Sequence, residues 1–203
     1  MGRSNIFSKG GERVIQTGDI ALYRGAGLFG RLIRWYTKCD INHSAFIVRK
    51  EDGFLWKRHS AIFRIFFSSF IEEPLNLTDK GLIYIVRLKY GELFEDALDI
   101  ERAIALALLR SETLLNRTTP YDPRAVLGIA LGPLGKYIGH SERRFMCSEA
   151  VSWIWRPEGI LGLCVEPFRK SLFHGNALRP HDDITPADIL NSPFVEIIWE
   201  GGF

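Results

Sequence analysis

Residues 143–155 read RRFMCSEAVSWIW. A short apolar stub leads into a predicted helix that begins at Cys147 and ends near Trp155. A thiol at the N-terminus of a helix meets unpaired backbone N–H groups and the positive end of the helix dipole, and both favour the nucleophilic thiolate. Ser148 and Glu149 suit the first helical turn, and the same N–H groups are placed to stabilise an oxyanion. The stretch predicts a reactive cysteine; the alternative is that Cys147 is a buried apolar residue, as most free cysteines are.

A second stretch, DINHSAFIV at positions 40–48, places His43 at the start of a predicted strand, just after a polar turn. An imidazole at a strand end can face a cleft while the rest of the strand is held in the core. The alternative is a solvated or core-bound histidine without a chemical role.

The rest of the chain predicts a mixed fold. Strands are predicted at residues 20–23, 43–49, 54–61, 62–67, 82–88 and 195–199 from short apolar runs bounded by turns. Helices are predicted at 28–37, 94–116, 124–131 and 147–155, with a further helix start at Thr185-Pro186. The apolar face predicted for the helix at 94–116 consists of Leu98, Ala105, Leu108, Leu109 and Leu115. Strands followed by a helical middle and a closing strand indicate an α+β fold with an antiparallel sheet packed against helices. We expect a flexible arm at 1–16 and a single domain at 17–203.

Composition narrows the function classes. The 203 residues carry 26 basic and 24 acidic side chains, a net charge of +2, so a dedicated nucleic-acid binder is not expected. Three cysteines, Cys39, Cys147 and Cys164, form no CxxC pair. The histidines at 140, 174 and 181 share no metal-ligand spacing, so neither a metal nor another cofactor is predicted.

Location is predicted from what the sequence lacks. Free thiols at wide spacing favour a reducing compartment. No secretory signal and no apolar run of membrane-spanning length is visible, so we expect a cytoplasmic protein without a transmembrane segment. A phage-encoded protein, or one delivered outside the cytoplasm by another route, fits the same observation.

Four segments in order give the chain a family resemblance. They read GDIALYRGAGLFGRLIRWYT (18–37), NHSAFIV (42–48), PYDPRAVLGIAL (120–131) with FMCSEAV (145–151), and ITPADILNSPFVEII (184–198). The set resembles the circularly permuted branch of the NlpC-type papain-like hydrolases, called YiiX-like, with a distant likeness to the lecithin retinol acyltransferase group. The resemblance implies a papain-like fold in which His43 takes the proton of the Cys147 thiol. The thiolate then attacks a carbonyl and forms a thioester intermediate.

The family usually adds a third polar residue, often a carboxylate, on the strand after the hairpin. Here that strand reads FLWKRHSAIF (54–63) and holds no acid. Lys57 stands near the expected position, and its cation would depress the pKa of His43. His59 lies two residues further on the same face, so His59 is the third catalytic candidate; the alternative is an ordinary surface histidine.

Two further residues are predicted to support the site. Asp19 opens the first family motif, and Tyr121 belongs to the third. Both also have a structural interpretation, Asp19 as a turn acceptor and Tyr121 as part of a helix start.

Three functions follow from this pattern. The first is a cysteine hydrolase of an amide, ester or thioester, with a peptide or peptidoglycan fragment as the substrate usual for such relatives. The second is a lipid acyltransferase or deacylase, suggested by the aromatic run IFRIFFSSFI (62–71), whose Phe63, Phe66 and Phe67 could contact acyl chains. The third is a non-catalytic binding module with an incomplete triad. Substrate, acyl acceptor and oligomeric state stay open.

Overall fold

The computed structural model describes residues 14–64, 67–117, 146–156 and 184–201. The strands are β1 (Ile20–Tyr23), β2 (His43–Arg49), β3 (Leu55–Arg64), β4 (Phe67–Pro74), β5 (Leu82–Leu88) and β6 (Val195–Glu200). The helices are α1 (Leu28–Thr37), α2 (Tyr90–Leu93), α3 (Ala97–Asn116), α4 (Cys147–Ile154) and α5 (Pro186–Leu190). The predicted helix at 124–131 lies outside the described residues.

The six strands form one sheet in the order β4-β3-β2-β1-β5-β6, and every neighbouring pair is antiparallel. This confirms the α+β class with an antiparallel sheet. β1 lies inside the sheet between β2 and β5, and all four of its residues are buried, which explains its continuous apolar run.

The predicted strand at 62–67 is wrong. Residues 62–64 end β3 and residue 67 begins β4, so the connection between two strands falls inside the predicted element. The aromatic run 62–71 is uniformly apolar, and apolarity without an alternating pattern does not locate a turn.

Two apolar clusters cover the two faces of the sheet. The helices α3 and α4 pack on one face, where the larger cluster includes Phe46, Val86, Ala107, Val151 and Trp155. The smaller cluster on the other face includes Ala21, Tyr23, Ala45, Ile47 and Ile85. Alternate residues of β2 therefore belong to opposite faces, as strand geometry requires. Ile15 packs into the smaller cluster, so the folded part of the chain includes the end of the predicted arm.

The long helix α3 begins later than predicted and buries a different face. Asp96 caps it by accepting a hydrogen bond from the Asp99 N–H at 2.8 Å. The predicted apolar face consisted of Leu98, Ala105, Leu108, Leu109 and Leu115. The buried positions are instead Ala103, Ala107, Ser111 and Leu114. Leu98 and Leu109 are 50% and 58% exposed, so the prediction is wrong for these two, whereas Leu108 and Leu115 are partly buried and pack against the core.

The polar residue Ser111 explains the error. Its hydroxyl receives a 2.6 Å hydrogen bond from Nη1 of the buried Arg58, whose Nε is 2.6 Å from Oε2 of Glu72. The spacing of apolar residues cannot reveal such a position, because Ser111 is polar and is buried only where Arg58 of β3 hydrogen-bonds its hydroxyl.

Candidate active site

Cys147 is the first residue of α4 and is only 3% exposed. Side-chain contacts hold this end of the helix in place. The Met146 N–H donates to Oε2 of Glu149 at 2.7 Å, which is the reciprocal half of a capping box. The Ser148 hydroxyl donates to the carbonyl of Ile184 at 2.6 Å, just before α5. The predicted roles of Ser148 and Glu149 in the first turn therefore have a structural basis.

A gap between β2 and β3 receives the thiol. The recorded pairing of β2 with β3 starts at Phe46 and Arg58, two residues after Ser44, while pairing with β1 already starts at His43 and Tyr23. The Ser44 N–H hydrogen-bonds the sulfur of Cys147 instead, and the Ser148 N–H does the same from within α4. Both donors favour the thiolate.

The side chain of Ser44 also adjoins the sulfur, and this contact helps to lower the pKa of the thiol. Its hydroxyl is buried and makes no hydrogen bond of regular geometry among the described residues. We therefore assign the stabilisation of the sulfur mainly to the two backbone N–H groups.

Burial nevertheless decides the pKa of Cys147. It raises the pKa of the thiol above its ordinary value, outweighing the N–H groups, and the Glu149 carboxylate adds to the rise. The N–H groups at the helix start favour the thiolate, in the direction expected from the sequence, but burial outweighs them in the free protein. A thiolate withdrawn from water needs more than two N–H donors to offset the lost hydration.

His43 and His59 are brought together. His43 begins β2, and its Nε2 lies 2.8 Å from Nδ1 of His59 on β3. The ring centroids are 4.8 Å apart in an edge-to-face arrangement. The third candidate chosen from the sequence is thus in direct contact with the candidate base.

Glu73 on β4 extends this pair, and the sequence reasoning missed it. Oε1 of Glu73 lies 3.1 Å from Nε2 of His59 and 3.1 Å from Nζ of Lys57. Lys57 also binds Oδ2 of Asp79 at 3.1 Å. A carboxylate was expected on β3, but the acid stands on the next strand, directly opposite Lys57. The signal was the Glu-Glu pair at 72–73 in an otherwise apolar stretch.

Both histidines are neutral near pH 7. Burial is the largest cause and lowers the pKa of His43 well below its ordinary value; His59 and the Lys57 cation lower it further, whereas Glu73 raises it. Burial and Lys57 lower the pKa of His59 to about 4. The expected effect of Lys57 on His43 therefore has the predicted sign.

Among the described residues, Cys147 and His43 are linked only through the backbone of β2. Ser44 holds the sulfur of Cys147, and His43 is the residue before it, so both reactive groups lie at the same end of β2. Within the described part of the chain, no hydrogen bond joins the His43 ring to Cys147.

Asp19 does not belong to this cluster. It lies at the start of β1, beside the opposite end of β2, where its backbone carbonyl accepts a hydrogen bond from the Ile47 N–H at 2.8 Å. Its buried carboxylate receives two hydrogen bonds from Arg87, at 2.7 and 2.8 Å, and one from the Gln16 N–H. The turn-acceptor interpretation of Asp19 therefore fits the structure, and the site-support role does not.

Other predicted residues lie outside the described residues. These are Tyr121, Phe66, Cys164 and the histidines at 140, 174 and 181; the side chains of Phe63 and Phe67 are likewise outside the description. Among the residues described, no three His, Cys, Asp or Glu side chains are grouped to hold a metal ion.

A cavity of about 330 Å³ lies near the same end of the sheet, with Arg24, Leu77, Asp79, Lys80 and Gly201 among its lining residues. Cys147, His43 and His59 do not line it. It is therefore separate from the thiol.

Comparison with known proteins gives a fold relationship. No family model matches the sequence, and no curated protein matches it closely enough to report. Among solved structures, the chain is similar to the metalloprotein YiiX from Escherichia coli O157:H7, a protein of the domain of unknown function 1105. The TM-score is 0.60 at 16% identity, over 91% of this chain and 97% of that one.

At this level of identity the likeness concerns the fold alone. The chain thus shares an α+β fold with YiiX over nearly its whole length.

No described helix is both long and apolar enough to cross a bilayer.

Proposed function

We propose that this protein is a cysteine hydrolase with a circularly permuted papain-like fold, in which Cys147 is the nucleophile and His43 the base. One observation carries the proposal. The sulfur of Cys147, at the N-terminus of α4, accepts a hydrogen bond from the Ser44 N–H. Ser44 directly follows His43, and Nε2 of His43 is hydrogen-bonded to His59. The fold shared with YiiX, which the order of the four sequence motifs anticipated, supports it.

The pKa directions define how the thiol is activated. A raised pKa for Cys147 and a lowered pKa for His43 describe a neutral thiol beside a neutral imidazole. Proton transfer therefore accompanies attack, with His43 as a general base, and no stable thiolate–imidazolium pair precedes it. Because Nε2 of His43 is bound to His59, Nδ1 is the ring atom that receives the thiol proton.

The reaction is an acyl transfer in two steps. The sulfur forms a bond to the substrate carbonyl carbon, and the bond from that carbon to the amine, alcohol or thiol leaving group breaks. The proton held by His43 goes to the leaving group. Water then attacks the thioester and gives a proton to His43, the carbon–sulfur bond breaks, and the proton returns to the sulfur. We propose that backbone N–H groups at the start of α4 stabilise the oxyanion.

The substrate is an amide, ester or thioester, with a peptide or peptidoglycan fragment as the first class to test. A lipid acyl substrate was suggested by the aromatic run at 62–71, whose side chains at 62–68 lie outside the description. A non-catalytic binding module is the second candidate, because burial raises the pKa of Cys147.

Acyl-enzyme formation tests the proposal. The protein is incubated with p-nitrophenyl acetate, and peptide mass spectrometry locates the adduct. Cys39, a more exposed free cysteine, is the internal control. We expect acetylation of Cys147, its absence in Cys147→Ala, its retention in Cys39→Ala, and a rate lower by about 100-fold or more in His43→Ala.

If Cys147 is not acetylated, or is acetylated equally fast in His43→Ala, the hydrolase proposal is wrong and the non-catalytic binding module becomes the better account. If Cys147 is acylated, release of amine from muropeptides compared with release of fatty acid from phospholipid vesicles assigns the substrate class.

A further inference from the structure

The chain places a carboxylate behind the two histidines, on a different strand from the one where the family usually carries its third residue. His43 on β2, His59 on β3 and Glu73 on β4 lie in series, with contacts of 2.8 and 3.1 Å. His59 has only 8% of its surface exposed, and its Nδ1 and Nε2 lie within hydrogen-bond distance of His43 and Glu73; the backbone of Ser60 also hydrogen-bonds the ring. Three adjacent strands thus each supply one member of a hydrogen-bonded row.

The chemistry of the acceptor fixes the protons along this row. An ionised carboxylate can only accept hydrogen bonds, so Nε2 of His59 must carry the proton that faces Glu73. Nδ1 of the neutral His59 is then a lone pair, which must accept from Nε2–H of His43. The remaining nitrogen of His43, Nδ1, is left without a proton, as a general base requires.

We propose that Glu73 is a positioning residue, which sets the tautomer of His43 through His59 and so makes Nδ1 of His43 the base. The assignment deepens the proposed hydrolase function, on which its kinetic consequence rests. It also defines the role of His59: by donating Nε2–H to Glu73 and accepting from Nε2–H of His43, it links the carboxylate on β4 to the base on β2.

Charged neighbours also affect the two histidines, through their pKa values and independently of the tautomer. Lys57 faces both histidines and is neutralised by Glu73 and Asp79. The Tyr23 ring lies 5.9 Å from the His43 ring and 4.9 Å from Nζ of Lys57. Loss of either acid leaves the Lys57 cation less compensated, but only loss of Glu73 removes the acceptor from His59.

This difference supplies a matched pair of variants. Glu73→Gln and Asp79→Asn each remove one negative charge beside Lys57. A glutamine can present either an acceptor or a donor to His59, so it no longer selects one tautomer. We expect Glu73→Gln to lower the maximal rate of Cys147 acylation about 10- to 100-fold at pH values where both histidines are neutral.

The shape of the pH profile separates the two effects. Asp79→Asn should shift the profile along the pH axis and change its plateau less than about threefold. Glu73→Gln should lower the plateau itself. Equal plateaus in the two variants would reduce Glu73 to a simple counter-charge and overturn the proposal.

A spectroscopic measurement tests the tautomer without any activity. Long-range ¹H–¹⁵N spectra of the wild-type protein at a pH of about 7.5, above the ordinary histidine pKa, should show the Nε2–H tautomer for both His43 and His59. Glu73→Gln should yield a mixture at His43. A wild-type His43 protonated on Nδ1 would overturn the assignment, whereas an unreactive Cys147 with the expected tautomers would overturn only the hydrolase function.

Discussion

At the residue scale, the two ends of β1 hold different kinds of buried ionisable group: at one end burial suppresses the charge, and at the other two opposite charges are paired. Cys147, His43 and His59 belong to the first kind, because burial is the largest influence on the pKa of each. Asp19 and Arg87 belong to the second, at the other end of β1: burial is again the largest influence and raises the pKa of Asp19, but the two side chains form an ion pair at 2.7 Å. The contributions of the two ends of β1 to the unfolding free energy should therefore respond differently to mutation and to pH.

His59 should make the stability of the protein depend on pH. Its pKa is about 4 in the folded state against an ordinary 6.5, so the unfolded chain binds a proton that the folded chain excludes. The stabilisation is present above pH 6.5 and is lost as the pH falls towards 4, by about 3 kcal/mol at most. We expect urea unfolding to show a steeper loss of stability between these pH values in the wild type than in His59→Gln. Identical slopes would contradict the burial of a neutral His59.

The Asp19–Arg87 pair should be important for stability and unnecessary for chemistry. Asp19→Asn leaves the Arg87 guanidinium, 14% exposed, without its counter-charge, and should cost about 3–5 kcal/mol of unfolding free energy. Asp40→Asn, in the exposed pair with Arg24 at 3.6 Å, is the control and should cost less than about 1 kcal/mol. Urea unfolding compares the two; equal costs would count against the burial of the Asp19 pair.

At the element scale, α3 shows how a partner strand decides which side of a helix is buried. The Arg58 side chain on β3 reaches across to Ser111, so a polar residue lies on the inner face while Leu109 faces solvent. The apolar spacing of the sequence was compatible with more than one rotation of the helix. The contact with the sheet selected one of them.

Two leucines of α3 test this rotation with the same substitution. Leu114→Ala, at a side chain that is 3% exposed, should lower the unfolding free energy by about 2–5 kcal/mol. Leu109→Ala, at 58% exposure, should change it by less than about 0.5 kcal/mol. Thermal or urea unfolding of both variants decides the matter. A larger loss for Leu109→Ala would restore the apolar face inferred from spacing.

At the scale of the whole molecule, the sheet order places the motif that comes first in the chain at the centre. β1 pairs with β2 on one side and β5 on the other, while β4 and β6 form the edges. The candidate site lies where the pairing of β2 with β3 ends, and α3 and α4 cover one face of the same sheet. His43 and His59 thus stand on interior strands, which limits their motion, whereas Glu73 stands on the edge strand β4.

Hydrogen exchange should follow this order. Amides of β1 and β2 should open only with global unfolding, whereas those of β4 and β6 should exchange through cheaper local openings. Mass spectrometry of exchanged peptides measures the ranking. Peptides from β6 that are as protected as those from β1 would contradict a sheet whose edge is at β6.

Local chemistry could be predicted from the sequence because it depends on neighbours along the chain. The bounds of β1, α1, β2 and β5, the start of α4 at Cys147 and the Thr185-Pro186 helix start all follow from apolar runs, caps and turns, and the structure confirms them. The proximity of His43 and His59 was also foreseeable, since a hairpin fixes which residues of its strands meet.

Tertiary structure decided everything that depends on which strands and helices become neighbours. Glu73 approaches His59 only because β4 pairs with β3, and Ser111 is buried only because Arg58 meets it. The pKa of Cys147 could not be predicted for the same reason. A helix N-terminus favours the thiolate locally, but the burial that outweighs it is a property of the whole packed domain.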